Sequence, residues 1–164
     1  MPERADASQK KNPELNEQEL VMTRFFDAPR ALVFKAWTDP KQVEQWWGPH
    51  GFTNPVCELD ARPGGAILIH MRGPDGTVYP MTGVYQEIVE PERIVFLSAA
   101  LGNDGSKMFE ILNVVTFAEK DGGTTLTLHA KVLKTTPNAA QHLAGMELGW
   151  SQTLDRLATH MAKL

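Results

Sequence analysis

Five histidines, a single cysteine and two carboxylates set inside apolar runs are the side chains of this 164-residue chain best suited to chemistry. His50, His70, His129, His142 and His160 match no short metal motif of the H-E-x-x-H kind, in which two rings one helical turn apart share an ion. Cys57 stands beside Val56 and Leu59, with no helix N-terminus or basic neighbour to lower its pKa. It therefore reads as a small hydrophobe rather than a nucleophile. Glu87 and Glu110 lie within strand-like segments. Turned inward, either would have a raised pKa and could act as a base or hold a polar ligand group. Alternation alone leaves their direction open. Arg62-Pro63-Gly64-Gly65 has the look of an anion-binding turn, but its spacing is neither a P-loop nor a dinucleotide fingerprint. It reads as a structural turn, with Asp60 near Arg62. No catalytic set and no bound cofactor emerges from these residues.

The aromatic residues carry a different signal. Trp46-Trp47 precede Gly48-Pro49-His50-Gly51-Phe52. They can wall the mouth of a cavity or anchor a short helix to a sheet. Successive helical residues differ by about 100° in direction, so the two rings are expected to face different places.

The elements that must position these groups follow from the apolar period. Residues 20–26 form a short apolar strand that stops at Asp27-Ala28-Pro29. Pro29 suits the first position of a helix, with Asp27 or Ala28 near the cap, and Leu32, Val33, Ala36 and Trp37 fall at helical spacing. Thr38-Asp39-Pro40 breaks this helix and begins a second, through Val43, Trp46 and Trp47, which Gly48-Pro49 ends. The period then becomes two. Strands are expected over 56–60, 66–72, 77–89, 93–101, 109–119 and 124–133, separated by turns such as Gly73-Pro74-Asp75-Gly76 and Lys120-Asp121-Gly122-Gly123. Gly83 suggests a bulge or bend. In the last strand Leu126, Leu128, Ala130 and Val132 share one face, while Thr125, Thr127, His129 and Lys131 share a wet one. Thr136-Pro137 begins the longest helix, to about residue 163, with Leu143, Met146, Trp150, Leu154, Leu157 and Met161 in one stripe. His160 falls near its C-terminus, where a cation is favoured. A sheet of about six to seven antiparallel strands must cover one face, and only this last helix is long enough to do so. The fold class is therefore α+β, with a hydrophobic cavity expected between sheet and helix, which His50 and His70 could approach.

Bulk composition agrees with one globular domain over residues 19–164, preceded by a flexible polar tail at 1–18. Apolar residues make up 42% and charged residues 22%, so the chain as a whole is not a disordered one. A net charge of -4 argues against a nucleic-acid partner. The single cysteine excludes an intrachain disulfide. No apolar run approaches the roughly 18 residues of a spanning helix, so no membrane partner is expected. The N-terminal residues lack a signal-peptide pattern, and a cytoplasmic location is the expectation.

An ordered set of motifs resembles a known family. Phe26-Asp27-Ala28-Pro29-Arg30 is followed by Val33 to Pro40, Trp46-Trp47-Gly48-Pro49 and Asp60-Ala61-Arg62-Pro63-Gly64-Gly65. Gly83 to Ile88, Pro91 to Phe96, Gly122 to Leu126, Gly145 to Trp150 and Leu154 to Leu157 complete it. The chain is similar to the START-like (SRPBCC) superfamily, and to its branch named for the C-terminal domain of the activator of the 90-kDa heat-shock-protein ATPase. The resemblance implies a helix-grip fold of the START/Bet v type.

The functional expectation is binding of a small hydrophobic or amphipathic ligand between sheet and helix, without chemistry. Candidate lining residues are Trp37, Trp46, Trp47, Phe52, Met71, Tyr85, Phe96, Phe109, Met146 and Trp150. Two alternatives stand beside it. One, from the resemblance, is a co-chaperone-like module with a chaperone partner, although the eukaryotic activator uses two domains and only one is represented. The other is a cyclase- or hydrolase-type enzyme on a polyketide-like substrate, needing His70, Glu87 or Glu110 turned inward near Tyr85. A homodimer is compatible with such a domain, but no exposed apolar stripe identifies its face.

Overall fold

The structure is a computed structural model that describes residues 19–102, 104–135 and 145–164. The tail expected at 1–18, the helix start at Thr136-Pro137, and Leu143 and His142 lie outside the described residues.

Strand β1 (Glu19–Phe26) leads into helices α1 (Arg30–Thr38) and α2 (Pro40–Trp46). Six strands follow: β2 (Thr53–Leu59), β3 (Ala66–Arg72), β4 (Val78–Val89), β5 (Arg93–Leu101), β6 (Lys107–Lys120) and β7 (Gly123–Thr135). The chain ends with helix α3 (Met146–Met161). All seven strands belong to one antiparallel sheet in the order β1-β7-β6-β5-β4-β3-β2. Each strand from β2 to β7 therefore lies beside its sequence neighbour, and only β1 pairs with a distant partner.

Side-chain alternation selects the covered face. In β7, Leu126, Leu128, Ala130 and Val132 are buried, whereas Thr125, Thr127, His129 and Lys131 are half-buried or exposed. In β3, Ile67 and Ile69 are buried. The apolar stripe of α3 crosses this face, and its C-terminal half packs deepest, with Leu154 and Leu157 fully buried. Its N-terminal half, from Met146 to Trp150, is only partly buried.

Local chemistry sets the helix ends. Pro29 is the N-cap of α1 rather than its first residue, with φ -59° and ψ 145°, and neither Asp27 nor any other side chain caps the helix. A proline ring fixes φ but lets ψ remain extended, which places it just outside the helix. In α2 the carboxylate of Asp39 accepts from the Lys41 backbone N–H at 3.0 Å, and Pro40 occupies the first helical turn. Trp47 is the C-cap in an extended conformation, and Gly48 follows with φ 95°.

Gly83 has a different role from the expected bulge. The register shift between β4 and β5 falls at Tyr85/Glu87. At Gly83 the Leu97 carbonyl of the neighbouring strand comes so close that a Cβ would sit 2.4 Å from it. Gly65 is tighter still: a Cβ there would lie 1.8 Å from the Asp60 carbonyl. This turn docks on β4 through Gly64 N–H to the Tyr85 carbonyl at 2.7 Å and Tyr85 N–H to the Gly65 carbonyl at 2.9 Å. The Asp60–Arg62 ion pair at 2.9 Å belongs to the same turn.

Candidate functional site

A cavity of about 520 Å³ lies between the sheet and the N-terminal half of α3. Trp47, Gly48, Pro49 and Phe52 wall it where α2 runs into β2. Met71, Tyr79, Phe96 and Phe109 reach in from the strands, and Met146, Gly149, Trp150 and Thr153 from the helix. Ser98 and Asn113, on β5 and β6, add polar groups. No charged side chain lines this cavity among the described residues. A second cavity of about 20 Å³ is lined by residues including Trp37, Ile69, Tyr85 and Ile94. Trp47, Met81 and Phe96 line both cavities and form the partition between them.

Of the ten lining residues expected from the sequence, seven line the larger cavity: Trp47, Phe52, Met71, Phe96, Phe109, Met146 and Trp150. Trp37 and Tyr85 line the smaller one. Trp46 lines neither. It is fully buried, and its indole N–H donates to the Ala36 carbonyl at 3.1 Å. The anchoring role thus belongs to Trp46 and the wall to Trp47. The expectation that the two rings face different places holds at the cavities, which only Trp47 lines, although both rings meet Trp37, with centroids 4.9 and 6.1 Å away. The separation does not come from the helical 100° step, since the backbone leaves the helix at Trp47. Trp150 joins the group from α3, at 6.1 Å from Trp37 and 5.5 Å from Trp47. Trp37 and Trp150 are stacked and the other pairs meet edge-on, both arrangements that suit the ring quadrupoles.

The potential acid–base groups lie elsewhere. His70, Glu87 and Glu110 are absent from the lining of both cavities. His70 alternates with the inward Ile69 and Met71 and so falls on the opposite face of β3. Glu87 is paired with Arg93 at the surface, and Glu110 with Lys107 at 3.0 Å. His50 is exposed near Asp155, and His129 pairs with Glu19 on the outer face. Among the described residues no three metal-ligating side chains cluster. Burial, followed by the carboxylates of Glu44 and Asp39, pushes the Cys57 thiol up to about 12, so it stays protonated at neutral pH. Burial likewise raises Tyr85, which remains a neutral phenol.

His160 differs from its expected role as a favoured cation. Its ring bonds to Gln42 at 2.9 Å. Desolvation first, then the charge of Lys163, hold its pKa below the ordinary histidine value. A depressed histidine pKa means that the unfolded chain binds the proton more readily. The residue's contribution to stability is therefore intact above the ordinary histidine range and falls as pH drops through it. An NMR titration should find the His160 ring titrating below about 6.5. A midpoint at or above that value would show that the helix end governs instead.

Two functional-looking residues escaped the sequence reading. Asn113 is buried in β6 and bonded within the sheet. Its signal was legible: it shares the inward period of Ile111, Val115 and Phe117, where a polar residue is out of place. Arg156, on α3, donates through Nη1 to the carbonyls of Trp47, Gly48 and Pro49, each at 3.0 Å, and through Nη2 to the Gln45 carbonyl at 3.1 Å. It fastens the cavity wall to the helix. Nothing in the sequence pattern points to contacts more than a hundred positions away.

A curved antiparallel sheet closed by a C-terminal helix, with an apolar cavity between them, defines a helix-grip domain of the START type. The chain belongs to the family of Activator of Hsp90 ATPase homolog 1-like proteins, whose model matches residues 27–162. Among solved structures, a protein from Mycobacterium smegmatis is 29% identical with a TM-score of 0.75, over 92% of this chain and 94% of that one. A protein from Chromobacterium violaceum is 28% identical with a TM-score of 0.74, over 86% of this chain and 94% of its own. The AHSA1 protein from Silicibacter pomeroyi, at 24% identity and TM-score 0.74 over 88% and 98% of the two chains, shares the fold. No curated protein matches the sequence. Among the described residues no helix is long and apolar enough to cross a membrane.

Proposed function

We propose that this protein binds a small hydrophobic or amphipathic molecule in the larger cavity, without transforming it. The observation that carries this reading is the cavity itself. Its volume of about 520 Å³ lies within the roughly 300–1,000 Å³ of pockets that enclose most of a small ligand. Its lining is mostly aromatic, Met and small apolar residues, and Met adapts to varied apolar shapes. The acid–base residues an enzymatic reading would need, His70, Glu87 and Glu110, do not line it. The co-chaperone alternative draws on the family description alone.

The test uses N-phenyl-1-naphthylamine, an uncharged dye whose fluorescence rises in apolar surroundings. Saturable one-site enhancement is expected with the wild-type protein. Ala100 lines the cavity and pairs across the sheet with Met81 and Phe109, which line it too, so Ala100→Trp should abolish the enhancement by filling the space. No saturable binding, or undiminished binding by a folded Ala100→Trp variant, would overturn the proposal.

A further inference from the structure

Three polar side chains of the cavity, Asn113, Thr153 and Ser98, have a common polarity. Asn113 is 2% exposed. Its Nδ2 donates to the Phe96 carbonyl at 3.3 Å, the Ile111 carbonyl at 3.2 Å and the Ser98 hydroxyl at 2.9 Å. Backbone carbonyls only accept, so the nitrogen of the carboxamide must face them and cannot exchange places with the oxygen. The oxygen, Oδ1, is thereby turned away from the sheet, on the cavity side that Asn113 lines, and has no donor among the described residues. Thr153, 4% exposed, commits its hydroxyl hydrogen to the Gly149 carbonyl at 2.7 Å, which leaves only lone pairs on Oγ1. Ser98 receives the Asn113 bond and leans its own hydrogen toward the Ile111 carbonyl at 3.5 Å. These three groups have spent their hydrogens on the protein and offer lone pairs to whatever enters.

We infer that the cavity selects an uncharged ligand that donates a hydrogen bond, through a hydroxyl or N–H, to Asn113 Oδ1, with Thr153 Oγ1 as a second acceptor. The inference rests on the ligand-binding reading above and names the chemistry of that ligand. A buried acceptor left without a partner carries a desolvation penalty, so an occupant that excludes water must supply a donor. A carboxylate or phosphate would meet lone pairs and no counter-charge, since no cationic side chain lines the cavity among the described residues. Alcohols, phenols and amides fit this pattern, whereas fatty-acid anions, ethers and esters do not.

Isothermal titration with 2-naphthol, 2-methoxynaphthalene and 2-naphthoate at neutral pH tests the inference on one ring system. Naphthol is expected to bind about tenfold more tightly than the ether, the size of one buried hydrogen bond with its desolvation term. Naphthoate should bind weakest. The ether buries more apolar surface, so hydrophobicity alone predicts the opposite order. In Asn113→Leu the naphthol advantage should vanish while the ether keeps its affinity. If that variant does not fold, the wild-type ratio decides. An ether as tight as naphthol, or a tighter naphthoate, would overturn the donor inference and leave the cavity reading standing. Binding of N-phenyl-1-naphthylamine without binding of naphthol would do the same. Failure of all four probes would remove both.

Discussion

Trp47→Ala is expected to lower stability by about 3–5 kcal/mol, the range for removing a buried Trp or Phe ring, and to merge two cavities into one. Trp47 is 9% exposed and contacts the rings of Trp37, Trp46, Phe96 and Trp150. Its loss removes four ring contacts and the largest of the three side chains, with Met81 and Phe96, that separate spaces of about 520 and 20 Å³. The smaller space is lined by Trp37, whose Nε1–H is buried without a partner among the described residues. The variant should therefore admit longer molecules and bring a donor within their reach, weakening the preference for donating ligands. Urea denaturation reads the first effect as a shifted midpoint. The naphthol-to-ether ratio reads the second. A stability change below about 1 kcal/mol would mean that Trp47 is a surface lid rather than a core partition.

Arg156→Met should cost about 2–4 kcal/mol, since hydrogen bonds to charged groups contribute about 1.5–3 kcal/mol each but do not add fully. Four carbonyls lose a donor together: those of Gln45, Trp47, Gly48 and Pro49. The last carbonyls of a helix have no partner of their own, and here a guanidinium from another element serves those leaving α2. Burial lowers the Arg156 pKa somewhat, but a guanidinium remains charged at any working pH. Lysine should rescue little, because an ammonium cannot reproduce the planar fork. Because Trp47, Gly48 and Pro49 wall the cavity, the dye affinity should fall along with stability. A variant that loses stability yet binds the dye unchanged would show that the wall holds its place without this clamp.

The fold was legible because its apolar periods are clean. Leu126, Leu128, Ala130 and Val132 are all fully buried, and the turns fall where Gly, Pro, Asn and Asp cluster. Most of the cavity wall was legible too, since large aromatic and Met side chains on inward faces have few other places to go. What escaped depends on three-dimensional detail. Trp46 and Trp47 are identical in type and adjacent, and only the backbone leaving α2 between them separates anchor from wall. Asn113 was readable as a polar intruder on an apolar face, but which of its ends meets the cavity depends on the carbonyls of Phe96 and Ile111. The Arg156 clamp joins positions whose proximity exists only after α3 has docked. Gly83 carried a correct signal with the wrong cause: the position needs glycine because Leu97 approaches, not because the strand bulges.

The sheet order has a consequence for how the molecule is made. Strand β1 pairs only with β7, and Thr23 meets Thr127 across 104 positions. At roughly 5–20 residues per second, a ribosome takes about 5–20 seconds between the two. Strands β2 to β6 can zip to their neighbours as they emerge, but β1 must wait, its ladder groups unpaired and the inward apolar side chains of Leu20, Met22 and Phe26 uncovered. The first strand to leave the ribosome is thus among the last to find its place, and the nascent chain carries a sticky edge until β7 arrives to cover it.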